Sequence, residues 1–356
     1  MDFQSKPNFE AAMNRIEAWF QHDIIDRPPV SFHAHNAEFS ASRQLSGRKW
    51  PDLKARWFDA EYQVDKFIAS LQGSVFHGET FPVFSPNLGP NVYAAFHGAE
   101  LKYGEVTSWI ERCVHDWDDI PRLKFNEENA YYQKIEELTR IALAKCPGQF
   151  LVGYTDLHTS LDCVADWRDP QMLCMDLIDA PERVRELLEL ADQGFLPLFD
   201  HYDALLKAHN QPSVQWMGIP ARGKLHAPSC DFSTMISAED FSRFYLPSLK
   251  SEVRHMTHNI FHLDGKGLIR HLDTIFQLPE IQAIQWVQGV GDDEPILQWI
   301  PLIKRMQSAG KSVIVDLKPH ELEPFMAEVS PKGVFLWIAA GEEEQQSILK
   351  RLLSWT

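Results

Sequence analysis

Apolar and polar positions alternate along the chain with two different periods. Apolar residues recur three and four positions apart over residues 181–209, which predicts one long amphipathic helix. Between segments of this kind lie short, nearly continuous apolar runs at residues 29–33, 150–154, 213–218, 259–264, 283–287, 312–317 and 333–338. Strands of a parallel sheet have this composition, because helices cover both of its faces. From Ser237, a predicted N-cap, helical segments and apolar runs alternate to the end of the chain.

Consecutive strand–helix units form either a doubly wound sheet or a (β/α)8 barrel. No G-x-G-x-x-G sequence follows the first apolar run, and no linker rich in Gly, Pro or Ser divides the chain. We therefore predict an α/β fold with one domain over residues 1–356, a single (β/α)8 TIM barrel. Residues 34–125 are rich in Pro, Gly, Trp and Phe, and we expect an irregular N-terminal segment over one barrel mouth.

Composition excludes several classes of function. The chain of 356 residues has a net charge of −16, whereas nucleic-acid binding needs clustered Lys and Arg, so no nucleic-acid partner is predicted. No apolar run reaches the length of about 18 residues that a membrane span needs. The five cysteines include no C-x-x-C pair, which is typical of reduced thiols in the cytoplasm.

Polar and aromatic side chains recur where the apolar runs end. The active site of a (β/α)8 barrel lies at the carboxyl ends of its strands, so these side chains predict a small-molecule pocket there. The residues expected to contact substrate are Trp216, Cys230, Gln285, Trp286 and Trp337. Cys230 has a second interpretation, because free cysteines are often inert core side chains.

His262 and Asp264, in the stretch "FHLDGKG", are the central candidates. Residues two positions apart on a strand point to the same side. An imidazole and a carboxylate so placed can ligate a divalent metal together with a third ligand from another strand, or act as a general acid–base pair. Alternatively, Asp264 caps the next helix. We select His262, Asp264, Asp156 and His158 as candidate catalytic residues, with His262 and Asp264 as candidate metal ligands.

Three stretches, "CDFSTMISAEDFSRFYLPSLK" (230–250), "FHLDGKGLIRHLD" (261–273) and "PEIQAIQWVQGVG" (279–291), resemble the superfamily of uroporphyrinogen decarboxylases and cobalamin-dependent methyltransferases. The resemblance is closest to its decarboxylase-like branch, labelled trimethylamine corrinoid protein-like, and it extends over nearly the whole chain. It implies a single barrel with a pocket at the strand carboxyl ends, and a homodimer.

The methyltransferases of this superfamily hold zinc through a His-x-Cys pair and a cysteine near the last strand. The resemblance aligns His262 with that histidine and Asp264 with the first cysteine, and "VFLWIAAG" at 334–341 contains no cysteine. A ligand set of one histidine and one carboxylate is harder than the thiolate set, and it favours either a different metal from zinc or no metal. The resemblance as a whole implies a methyltransferase that acts on a small molecule and transfers the methyl group to or from a corrinoid carried by a partner protein.

Two other functions remain open. One is a carboxy-lyase of the uroporphyrinogen decarboxylase type, acting on a carboxylated substrate. The first run continues as "SFHAHNAEFSASRQLSGR" and lacks the R-Q-A-G-R-Y stretch of those enzymes, so this function requires Arg27, Arg43 or Arg48 to face the pocket. The other is a non-catalytic barrel that binds a small molecule.

Overall fold

The structure, a computed structural model, describes Phe3, residues 5–33 and residues 47–356. In this part of the chain no helix is both long and apolar enough to cross a membrane. The strands are β1 Val30–His33, β2 Val83–Phe84, β3 Leu101–Tyr103, β4 Ser108–Ile110, β5 Leu151–Val152, β6 Leu225–His226, β7 His258–Asp264, β8 Ala283–Val287, β9 Ser312–Asp316 and β10 Val334–Ala339. The α-helices are Phe9–Phe20, Leu53–Phe58, Ala60–Ser70, Val92–Phe96, Ala130–Lys145, Ser160–Arg168, Pro170–Asp179, Pro181–Gln193, Phe195–Ala208, Ala238–Asp240, Leu246–His255, Leu272–Phe276, Ile300–Ser308, Leu322–Met326 and Glu342–Leu352.

Six parallel strands form a curled sheet in the order β1–β10–β9–β8–β7–β6. β2 and β5 form a parallel pair, and β3 and β4 form an antiparallel hairpin. Leu263 of β7 pairs with Trp286 of β8, which in turn pairs with Val315 of β9. Because these strands run in the same direction, their carboxyl ends lie at one edge of the sheet.

The apolar strands contribute to two hydrophobic clusters. Ile260, Ala283, Ile314 and Phe335 belong to one cluster, whereas their neighbours along each strand belong to the other, which also contains most of the helices. This division follows from the two-residue period of a strand. The helix Phe9–Phe20 packs on the first cluster, where the rings of Trp19 and Phe335 are 5.4 Å apart.

Residues that flank β2 and β5 form hydrogen bonds near both edges of the six-stranded sheet. At one edge the buried carboxylate of Glu79 accepts from Arg27 Nη1 and from Val30 N, both at 2.8 Å, and Glu79 N donates to Val30 O at 2.7 Å. At the other edge Tyr154, just after β5, donates from N to Val214 O at 3.1 Å and from Oη to Leu225 O at 2.7 Å.

The prediction of one helix over residues 181–209 is wrong. The segment forms two helices, Pro181–Gln193 and Phe195–Ala208, which meet at Gly194. Pro197 accounts for the break, since proline has no N–H and its ring clashes with the carbonyl four residues earlier in a continuous helix. Gly194 consequently lies at a junction between helices, with no side chain.

The predicted strand at 213–218 is also wrong. Only an isolated bridge between Ser213 and Ala221 forms there, because the chain turns at Gly218, which has a φ of +70°. The adjacent segment Leu225–His226 supplies the strand instead. The expectation of irregular structure over 34–125 needs correction as well, since its described part contains short helices and the β3–β4 hairpin.

Candidate functional site

Three potential metal ligands converge at the carboxyl edge of the sheet. Asp231, His262 and Asp264 each present one ligand atom, and these atoms all lie within 4.8 Å of one another. Nε2 of His262 is 4.0 Å from Oδ2 of Asp264, as expected for two positions on one side of β7. Asp231 begins the 3₁₀ turn Asp231–Met235 that follows β6. We call this group the Asp–His–Asp cluster.

The imidazole of His262 has a defined orientation. Its Nδ1 lies 2.6 Å from Oε1 of Gln285, the residue that pairs with it in the β7–β8 register. An amide oxygen only accepts hydrogen bonds, so Nδ1 bears the proton and Nε2 presents a lone pair beside the carboxylates. Histidine ligands of metals are commonly held in this way by a hydrogen bond from the second ring nitrogen. The ring of Trp216 packs edge-on against the imidazole, with centroids 5.1 Å apart.

The two carboxylates of the cluster oppose one another electrostatically. Burial raises the pKa of Asp264; His262 acts in the opposite direction, and the negative charge of Asp231 adds to the rise. The side chain of Asp264 is 47% exposed, so an incoming ligand can reach it. A cation between the two carboxylates would relieve their repulsion.

Asp231 is held in place by its surroundings. The buried carboxylate of Asp162 accepts hydrogen bonds from the backbone N–H groups of Asp231 at 3.0 Å and Phe232 at 2.9 Å. Ser229 Oγ donates to Asp231 Oδ1 at 3.3 Å, and Tyr245 Oη donates to Ser229 O at 3.0 Å. Our sequence-based selection included neither Asp162 nor Asp231. An aspartate at the start of a helical turn is read first as a cap, and no local pattern shows that this turn meets β7.

Asp156 and His158, both selected from the sequence, form an ion pair with 3.1 Å between Asp156 Oδ1 and His158 Nε2. Burial lowers the pKa of His158, but the carboxylates of Asp156, Asp162 and Asp231 offset this and raise the pKa to about 10. His158 is therefore an imidazolium at neutral pH. Since Asp231 contributes to this rise, the ion pair and the Asp–His–Asp cluster share one electrostatic environment.

A cavity of about 360 Å³ adjoins His262. Four residues predicted to contact substrate, Trp216, Gln285, Trp286 and Trp337, line it. Among the described residues, the buried indole N–H groups of Trp286 and Trp337 have no hydrogen-bond partner. Asp316 also lines the cavity; burial raises its pKa and Glu294 and Glu321 add to the rise, whereas His33 lowers it. The cavity is thus lined by aromatic side chains, two of which carry a buried indole N–H without a partner.

Cys230 does not line this cavity. The residue is completely buried in the hydrophobic core, and burial raises the pKa of its thiol well above the usual value. Among the arginines proposed to mark a carboxylate pocket, Arg27 is bound to Glu79 beside the start of β1, and Arg48 pairs with Asp59 at 3.0 Å. Neither lines the cavity, and Arg43 lies outside the described residues.

No family model matches the chain, and no curated protein matches its sequence. Among solved structures, it is similar to a methyltransferase from Methanosarcina mazei, with a TM-score of 0.63 and 10% sequence identity. The match covers 96% of this chain and 98% of that one. At this identity the likeness concerns the fold alone: the chain shares the fold of that protein over nearly its whole length.

Proposed function

We propose that this protein is a metal-dependent methyltransferase of the uroporphyrinogen decarboxylase-like superfamily, acting on a small molecule at the carboxyl edge of its sheet. The observation that supports this most directly is the orientation of His262, whose Nδ1 binds Gln285 while Nε2 lies beside Asp231 and Asp264. The fold likeness to a methyltransferase favours methyl transfer as the reaction class. A corrinoid carried by a partner protein would supply the methyl group.

The proposal includes a closed barrel. β2 and β5 would complete the six-stranded sheet to eight parallel strands, a single (β/α)8 domain over residues 1–356. The contacts of Glu79 with Val30 of β1 and of Tyr154 with Leu225 of β6 support this closure, since β1 and β6 are the opposite edges of the sheet. We further propose a cytoplasmic homodimer, as the family resemblance implies.

The ligand types of the Asp–His–Asp cluster favour a particular class of metal. One imidazole nitrogen and two carboxylate oxygens suit Mn²⁺, Fe²⁺ or Co²⁺, whereas zinc sites of the resembling methyltransferases rely on thiolates. Cys230, which directly precedes Asp231 in the chain, cannot replace such a thiolate, because its side chain is completely buried in the core. A divalent cation at the cluster would act as a Lewis acid that lowers the pKa of the methyl acceptor.

Other residues would bind and orient the substrate. Trp216, Trp286 and Trp337 would form an aromatic wall against the substrate beside His262, and the unpartnered indole N–H groups of Trp286 and Trp337 would donate to its acceptor atoms. The positive charge of His158, held by Asp156, would attract an electron-rich group. Gln285 keeps the lone pair of His262 Nε2 available.

Isothermal titration calorimetry with Mn²⁺ and with Zn²⁺ tests the metal site. We expect His262→Ala, Asp231→Asn and Asp264→Asn each to weaken Mn²⁺ binding by at least about tenfold, because each removes one ligand of three. Glu344→Gln, an exposed change in the last helix, serves as the control. Demethylation of added methylcobalamin in the presence of thiols, alcohols or amines then tests the reaction. A protein that binds no divalent ion contradicts the metal site, and one that binds Mn²⁺ but never demethylates the corrinoid contradicts methyl transfer.

A further inference from the structure

A second cavity, of about 540 Å³, lies among the helices, apart from the carboxyl edge of the sheet. It shares no lining residue with the cavity beside His262. Its walls are mainly apolar and come from the helices Ala130–Lys145, Pro181–Gln193 and Phe195–Ala208 and from the segment 123–127. They include Leu123, Phe125, Tyr132, Leu190, Pro197 and Leu198.

One buried imidazole interrupts this apolar wall. His97 is 2% exposed, and its Nδ1 lies 3.0 Å from the carbonyl oxygen of Tyr93. A carbonyl oxygen only accepts, so Nδ1 bears the proton and Nε2 is left as an acceptor. Nε2 has no hydrogen-bond partner among the described residues. Burial lowers the pKa of His97, so the ring is neutral at neutral pH. A buried acceptor without a partner is costly unless a ligand supplies the donor.

Gly194 provides the space beside this acceptor. A methyl group added at Gly194 would lie 3.4 Å from His97 Nε2 and 3.4 Å from Tyr93 Oη. The hydroxyl of Tyr93 already has a partner, since it donates to Ala191 O at 2.5 Å, whereas His97 Nε2 has none among the described residues. The backbone of Gly194, with φ −84° and ψ −16°, is one that alanine adopts without strain. The glycine is therefore not required by the turn, and its absent side chain leaves a gap next to Nε2.

We propose that this cavity binds an uncharged aromatic molecule with one O–H or N–H group, which donates to Nε2 of His97. The aromatic rings of Phe125 and Tyr132, whose centroids are 5.5 Å apart, provide an edge-to-face wall for a planar ligand. Lys124 and Glu127 at the rim are exposed and of opposite charge, so they favour neither an anion nor a cation. Among the described residues, Nε2 of His97 is a buried acceptor of this cavity without a partner, so it determines the preferred position of the donor.

Phenol and toluene form a matched pair of probes, since they differ chiefly in one hydroxyl donor. We expect the full-length protein to bind phenol with a Kd of about 1 mM or tighter, within the range that small ligands reach. Toluene should bind about fivefold more weakly, the usual value of one hydrogen bond. Gly194→Ala should abolish this preference and leave toluene binding nearly unchanged. Gly341→Ala, where a methyl group would meet nothing within 4 Å, is the control.

The titrations are followed by NMR chemical shifts, which identify the residues that the ligand affects and also give the Kd. Shifts at His97, Leu198 and their neighbours that saturate with phenol support the proposal, together with the loss of preference in Gly194→Ala. The proposal is overturned if phenol does not bind, if toluene binds as well as phenol to the unchanged protein, or if Gly194→Ala retains the preference. Circular dichroism shows whether each variant keeps the fold.

Discussion

Nδ1 of His262 and Oε1 of Gln285 lie 2.6 Å apart across neighbouring strands. The parallel register of β7 and β8 pairs these two residues directly, so the hydrogen bond follows from the sheet itself. Its effect is to present Nε2 of His262 to Asp231 and Asp264 as an acceptor rather than a donor. A rigid strand pair thereby prepares the nitrogen ligand before any ion arrives.

Replacing Gln285 tests this preparation. Gln285→Leu keeps a side chain of similar length but removes the acceptor for His262 Nδ1. We expect Mn²⁺ affinity to fall by about 10- to 100-fold, the usual effect of losing such a supporting hydrogen bond. Gln298→Leu, at an exposed position whose amide binds only backbone carbonyls, is the matched control. Calorimetry measures the affinity, and an unchanged value for Gln285→Leu would contradict the role assigned to this residue.

Asp162 positions Asp231 without belonging to the Asp–His–Asp cluster, so replacing Asp162 should change metal affinity indirectly. Asp162→Asn retains one acceptor oxygen but turns an amide N–H₂ towards a backbone N–H. We expect a loss of about 1–3 kcal/mol in the free energy of unfolding, as for other buried groups left without a partner. Mn²⁺ affinity should fall too. Asp166→Asn, one helical turn further along, leaves the hydrogen bonds to Asp231 and Phe232 intact and should spare Mn²⁺ affinity.

The ion pair of Asp156 and His158 predicts a dependence of stability on pH. The pKa of His158 in the folded protein is about 10, well above that of an unfolded histidine, which is about 6.5. A raised pKa stabilises the fold fully below the unfolded value, and this stabilisation is lost as pH rises from about 6.5 towards 10. The difference in unfolding free energy between the unchanged protein and His158→Gln should therefore shrink from pH 6 to pH 10. Chemical denaturation at a series of pH values measures it, and a difference that grows with pH would refute the assignment.

The negative charge of Asp231 should destabilise the metal-free fold, because it disfavours the ionised form of Asp264. Asp231→Asn removes one charge, so the pKa of Asp264 should decrease towards its usual value. Since Asp264 is partly exposed, the expected gain in stability is modest, about 0.5 kcal/mol. The same variant should lose Mn²⁺ binding. NMR titration of the Asp264 carboxyl carbon and thermal unfolding without metal give the two readouts; a raised pKa in the variant would contradict the repulsion.

Glu79 is expected to be important for stability rather than for chemistry. Its buried carboxylate is shared by Arg15, Arg27 and the backbone N–H of Val30. Glu79→Gln leaves the buried guanidinium of Arg27 without its counter-charge, whereas Arg15 keeps its ion pair with Asp26. The free energy of unfolding should therefore fall by about 3–5 kcal/mol. Glu61→Gln, at a mostly exposed ion pair with Lys145, should cost under about 1 kcal/mol. Urea denaturation compares the two variants.

Local patterns predicted several elements well. The strand at 283–287 is confirmed as Ala283–Val287, and Ser237 is confirmed as an N-cap, with its Oγ 3.0 Å from Asp240 N. The N-cap depends on interactions within a few residues. The strand, which pairs with distant segments, is recognisable because burial on both faces requires a nearly continuous apolar run. The wrong predictions lie where one local feature of the chain overrode the hydrophobic pattern. Apolar spacing continued through 181–209, but Pro197 interrupted the backbone hydrogen bonds there.

The site shows the same division. The sequence alone determined that His262 and Asp264 project from one side of a strand, because side chains alternate with a period of two along any strand. It also selected Gln285, Trp286 and Trp337 on strands as pocket residues, whereas Trp216 lies in a segment that forms no strand. Only the tertiary structure decided that Asp231 joins His262 and Asp264, that Cys230 is buried, and that Gly194 opens a gap beside His97. Those relationships connect residues far apart in the chain, and they depend on how strands and helices pack, which no local period records.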